Sequence, residues 1–185
     1  MTTPPPDLPG PADLPDLPGP TGERADLLAA LDKQRGFLRY TARGLTDEQA
    51  QRRTTVSELT LGGLIKHVAG VEERWLRFAV GGAGAMRAEG APDDADSWAE
   101  QFRMTGGETL AVLLERYRAV AEHTDHLVAT LDLDSEQALP AAPWFEPGAA
   151  WSVRRVLLHV IAETAQHAGH ADILREALDG QKTMG

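Results

Sequence analysis

The sequence contains no cysteine. Disulfides, thiolate metal sites and cysteine nucleophiles are therefore all excluded. Basic residues are also scarce, 18 against 28 acidic ones, for a formal net charge of -10. Duplex binding needs a concentrated basic surface, so nucleic acid is not an expected partner. No stretch approaches 18 continuous apolar residues, which leaves no membrane span. The N-terminus is acidic and proline-rich, the reverse of a signal peptide with its basic start and apolar run. The expectation is a soluble cytoplasmic protein. Its 185 residues, 42% of them hydrophobic, suit one domain with a real core.

Strand-like alternation is missing too, and helical periodicity takes its place. The first 22 residues stand apart as a proline-rich arm or tail. Eight of the twelve prolines fall in the first twenty positions, and Asp7–Pro11 repeats as Asp16–Pro20. Such a segment cannot build helix hydrogen bonds. Residues 23–185 form the bundle. Leu27, Leu28, Leu31, Leu38, Ala42 and Leu45 recur at helical spacing. Thr46 and Gln49 have capping-box spacing. A second helix follows Thr60 and stops at Gly81-Gly82, and one further turn is expected at Asp96–Phe102. A third opens at a Thr105/Glu108 capping pair and runs to Leu131. The fourth starts after Ser152 and ends at Gly180. The fold class is all-α, an antiparallel four-helix bundle. The long stretch between the second and third helices has room for a crossover.

The fourth helix carries the chemistry. At about 100° per residue, His159, Glu163, His167 and His170 fall at roughly 0°, 40°, 80° and 20° around its axis. Four metal-competent side chains on one stripe need something to satisfy them. Glu163 and His167, four apart, can converge on one ion. The spacing equally permits His159 with Glu163, or His167 with His170, and an exposed polar stripe remains the plain alternative. A third ligand must come from another helix. His67 is the best candidate, because Gly63 and Gly70 share its face and leave space beside the imidazole. His123 and His126 fall off the apolar face of the third helix and read as solvated. Trp75, Trp144 and Trp151 are placed in the core, with a pocket wall as the alternative role.

Two segments resemble a known family. Leu64-Ile65-Lys66-His67-Val68-Ala69-Gly70-Val71-Glu72-Glu73-Arg74-Trp75 is similar to the second-helix motif of the DinB superfamily. The run from Trp151 through His159, Glu163, His167 and His170 to Glu176 is similar to its last-helix motif. The resemblance covers nearly all of the chain after about Pro20. It implies a DinB-like four-helix bundle with a three-ligand metal site, commonly zinc or nickel, and zinc is the metal expected here. In many members all three ligands are histidines. Here the set would be His67, Glu163 and His167, as in the related mycothiol-dependent maleylpyruvate isomerase. The nearest group is the mycothiol S-transferase-like members, which implies mycothiol as co-substrate, a small electrophile as second substrate and a homodimer.

The implied chemistry is coherent. A thiol with pKa near 8.5 is mostly protonated at neutral pH, and a divalent metal favours its ionised form. Two neutral imidazoles and one carboxylate leave a zinc site with net charge +1 and a free position, as catalytic sites have. His170 and His159 are candidates to orient a ligand or the thiol. Arg155, one turn before His159, is a candidate for meeting an anionic group. The expected function is metal-dependent thiol S-transfer. The alternatives are a thiol-dependent isomerase, a metal hydrolase, or a non-catalytic metal or small-molecule binding protein of the stress response.

Overall fold

The computed structural model describes residues 20–87 and 100–183. Apart from Pro20–Gly22, the proline-rich arm lies outside the described residues, as does the expected turn at Asp96–Phe102 before Glu100. Helix α1 spans Glu23–Thr41, and the short α2 spans Asp47–Ala50 with the Thr46/Gln49 capping box formed. Helix α3 spans Leu61–Gly81, and its Thr60 hydroxyl accepts from the Gly63 N–H at 3.1 Å. Helix α4 spans Leu110–Thr130, and α5 spans Val153–Asp179. The hydroxyl of Ser152 caps α5 at one end and Gly180, at φ 78°, closes the other. Each cap satisfies an N–H or C=O that the helix end leaves without a partner.

Two sequence expectations need correction. Helix α4 starts four residues late, with Thr109 rather than Thr105 as its cap. The Glu108 carboxylate does accept from the Thr105 N–H at 2.7 Å, but it also takes Lys66 at 2.9 Å. That pair closes a turn at Gly106-Gly107, where φ of 89° at Gly107 breaks the helix. The chain also contains strands. β1 (Glu136–Ala138) and β2 (Ala150–Ser152) pair antiparallel, Gln137 opposite Trp151. Three residues are too few to show an alternating pattern in sequence.

The helices form a four-membered ring in the order α1, α5, α3, α4. Glu23 and Arg154 join the starts of α1 and α5, while Arg175 donates from the end of α5 to the Thr41 and Arg43 carbonyls. These two helices therefore run the same way. Lys66–Glu108 and Glu73–Arg116 likewise set α3 and α4 parallel to each other. Arg24 reaches the Leu131 carbonyl at 2.8 Å, so α1 and α4 are opposed. Two helices thus run each way, and the connection from α3 to α4 must cross back along the bundle. Among the described residues no helix is long and apolar enough to cross a membrane.

Two apolar clusters fill the interior, one around Leu38, Leu64, Ile65 and Leu174, the other around Leu31, Phe78, Val128 and Leu157. Each fully buried leucine contributes about 1.5–3 kcal/mol. Between them sits a charged group. The guanidinium of Arg35, 1% exposed, pairs with both oxygens of Glu72, 0% exposed, and with Asp125 at 2.9 Å. Burial alone would lower the Arg35 pKa, but Glu72 and Asp125 hold it raised. The Tyr117 hydroxyl is buried nearby, and that burial pushes its phenol pKa up.

Candidate metal centre

Helices α3 and α5 run antiparallel along their contact, so an early position on one meets a late position on the other. His67 on α3 thereby faces His167 on α5, with ring centroids 4.8 Å apart and planes near perpendicular. Glu163 lies one turn before His167, and its Oε2 is 3.6 Å from His167 Nε2. One ligand atom from each of His67, Glu163 and His167 lies within 4.8 Å of the others. Donors around a tetrahedral zinc, each about 2.0–2.1 Å from it, sit roughly 3.3 Å apart, so small side-chain rotations close the gap.

The environment suits a cation held by neutral imidazoles. Only 6% of His67 is exposed, and burial pushes its pKa down to about 4, helped by His167 and Arg74 and opposed by the Gln101 side chain. Burial lowers His167 as well, with His170 adding to the effect. Both rings therefore keep a free lone pair at neutral pH. His67 Nδ1 is buried with no hydrogen-bond partner among the described residues. A buried imidazole nitrogen left alone carries a desolvation cost that a bound ion would remove. Two nitrogens and one carboxylate oxygen are a donor set zinc accepts.

The three side chains lie at the floor of a cleft of about 450 Å³. Trp75 and Trp151 stack at 4.8 Å along one wall, and Phe145 meets Trp151 edge-on. The β1–β2 connection brings Trp144, 76% exposed, to the mouth. Phe102, on the crossover connection, stacks on His67 at 4.0 Å. Gly63 makes this approach possible, because a Cβ there would stand 1.8 Å from the Phe102 carbonyl oxygen.

The remaining sequence candidates divide. His170 Nδ1 lies 3.5 Å from His167 Nδ1, beside the three-donor group and not in it. His159 stays at the far end of the cleft, edge-on to Trp75 and Trp151. Burial lowers its pKa, while Glu163 opposes the shift. Arg155 lays its guanidinium over Trp151 at 4.2 Å. His126 is exposed as expected, whereas His123 is partly buried and has its pKa lowered by that burial. The space inferred beside Gly63 is filled by Phe102 backbone, and only Gly70 faces open room. Trp75 is buried as core, but Trp144 is not. Three residues escaped the sequence reading: Phe102, Phe145 and Arg74. Arg74 had a signal, lying seven residues after His67 on one helical face. Phe102 and Phe145 stand in irregular segments without periodicity.

Comparison with known proteins speaks to the fold and to the family. The crystal structure of a conserved protein of a locus from Enterococcus faecalis superposes with a TM-score of 0.66 at 12% identity. The match covers 88% of this chain and 100% of that one, and it speaks for the fold alone. No curated protein matches this chain in sequence. The profile of the mycothiol S-transferase family matches residues 26–180, nearly the whole bundle, with both helices that line the cleft. The chain belongs to the mycothiol S-transferase family, a DinB-like family.

Proposed function

We propose that this protein is a metal-dependent S-transferase that joins a low-molecular-weight thiol, mycothiol, to a small electrophile. The observation that carries the reading is the convergence of His67, Glu163 and His167 at the floor of an open cleft, with His67 Nδ1 left without a partner among the described residues. Membership of a mycothiol S-transferase family supports the choice of reaction.

The three side chains would hold one divalent ion, zinc by the nature of the donors. When bound there, the ion supplies a Lewis acid that favours the ionised form of a thiol whose free pKa is about 8.5. The chain does the rest. Phe102 fixes the plane of the His67 ring by stacking on it. Burial keeps both imidazoles unprotonated, so neither repels a cation at neutral pH. The wall of Trp75, Trp151 and Phe145 narrows water access and gives an apolar surface for the electrophile. The absence of cysteine leaves no internal thiolate to compete with the incoming thiol.

The test compares metal-loaded protein, chelator-treated protein and His67→Ala, each with mycothiol, bacillithiol and glutathione and a bimane electrophile. Conjugation is expected only from loaded wild-type protein, fastest with mycothiol. Equal rates in all three samples would mean uncatalysed background. A fully loaded protein that turned over no thiol would overturn the transferase reading in favour of a binding or hydrolytic role.

A further inference from the structure

The cleft contains a guanidinium that no described residue meets with a hydrogen bond or ion pair. Arg74 on α3 is partly buried, lines the cleft and senses Glu163 through space. Yet among the described residues it makes no hydrogen bond and no ion pair. The other deeply placed arginines behave differently. Arg35 is paired with Glu72 and Asp125, and Arg175 donates to two backbone carbonyls and Asp179. A partly desolvated guanidinium without a partner costs stability, and its five N–H donors in a planar fork suit a carboxylate. A second cation, Arg155, is exposed and lies over Trp151, whose ring lines the cleft. Both stand in a chain whose net charge is -10, so the positive side chains here run against the overall balance.

A second observation concerns Trp144. It is the most exposed aromatic side chain at the cleft and touches Phe145 edge-on at 6.1 Å. The faces of Trp151 are engaged by Trp75 and Arg155, whereas the Trp144 indole is open to a planar guest. Aromatic pairs prefer offset or edge-on contact at such spacings.

We infer that Arg74 and Trp144 together select the electrophile, which is a planar aromatic molecule bearing a carboxylate or similar anion. The anion pairs with Arg74 and the ring lies against Trp144. This rests on the thiol-transfer reading of the same cleft. With a chloroarene, the transfer balances as follows. The thiolate sulfur bonds to the ring carbon bearing chlorine, chloride leaves with the carbon–chlorine pair, and the thiol proton passes to solvent.

Binding and turnover test it separately. In the first arm, metal-loaded protein without thiol is titrated calorimetrically with 3,5-dinitrobenzoate and with 3,5-dinitrobenzamide, neither of which can react. The benzoate should bind roughly tenfold or more tighter, the difference a charge-assisted pair makes. Arg74→Gln should abolish that preference while holding its metal, and Trp144→Ala should weaken both ligands alike. Equal affinities in wild type would overturn the proposal. So would a preference that survives Arg74→Gln, since the anion would then belong to the metal. Metal loss in Arg74→Gln would also overturn it, assigning Arg74 to Glu163. In the second arm, 4-chloro-3,5-dinitrobenzoate and its amide are conjugated with mycothiol, each rate taken relative to the uncatalysed reaction. Arg74→Gln should raise KM for the acid alone. Conjugation without discrimination would sink the Arg74 subsite and leave the transferase standing. Discrimination in binding without any conjugation would do the reverse.

Discussion

Helix α3 carries two polar residues into the bundle, five positions apart, and they end in opposite circumstances. Glu72 points between α1 and α4, where Arg35 takes both its oxygens and offers its third nitrogen to Asp125. His67 points toward α5, where it meets His167 and Glu163 and keeps a buried nitrogen without a partner among the described residues. The first cluster is closed: each charge in it is met by an opposite charge. The second is open to a cleft and is not satisfied by the described residues. Burial is comparable in the two, at 0% exposure for Glu72 and 6% for His67. What separates a structural polar cluster from a functional one here is whether its hydrogen-bonding capacity is used up.

The largest effect should come from breaking the closed cluster. Glu72→Ala leaves the Arg35 guanidinium buried with only Asp125, and should cost about 3–5 kcal/mol of folding stability. Urea denaturation measures this, and metal content per folded chain should not change. A Glu72→Ala protein of wild-type stability would show that the cluster is not closed in the sense argued.

The open cluster should instead reveal itself through pH. In the folded chain His67 has its pKa pushed down to about 4, chiefly by burial, against about 6.5 when unfolded. Between these values the unfolded chain binds the extra proton, so stability must fall as pH drops from about 6.5 toward 4. The loss in metal-free protein is up to about 3 kcal/mol. Urea titrations at stepped pH should trace it, and His67→Gln should flatten that part of the slope. A metal-free wild type whose stability is constant over this window would contradict the placement of His67.

The smallest effect should be at the rim of the closed cluster. Asp125 is 48% exposed, so solvent screens its pairing with Arg35. Asp125→Asn should cost about 1 kcal/mol or less. A loss as large as that of Glu72→Ala would mean that the two carboxylates act as one unit.

The sequence made the open cluster easier to read than the closed one. Glu163, His167 and His170 advertise themselves as a polar stripe on an apolar helix, and helical geometry then places them on one face. Thr46, Thr60, Ser152 and Gly180 marked helix ends that the structure keeps, because capping is a local interaction. Arg35, Glu72 and Asp125 gave no comparable signal, since a charge on a helix is solvated more often than paired inside. Phe102 stayed invisible because its stacking on His67 depends on a long-range approach across Gly63. The late start of α4 was missed for the opposite reason. Its capping pair was formed but diverted by Lys66, a residue of another helix.

The central claim is that His67, Glu163 and His167 hold one metal ion between α3 and α5. It is tested most directly by the metal-to-protein ratio after dialysis, measured by plasma mass spectrometry on wild type, His67→Ala, Glu163→Ala, His167→Ala and His123→Ala. The account predicts one ion per chain in wild type and His123→Ala, and none retained in His67→Ala or His167→Ala, with Glu163→Ala strongly depleted. Wild-type metal content in the His67 or His167 variant, with the fold intact by circular dichroism, would contradict it.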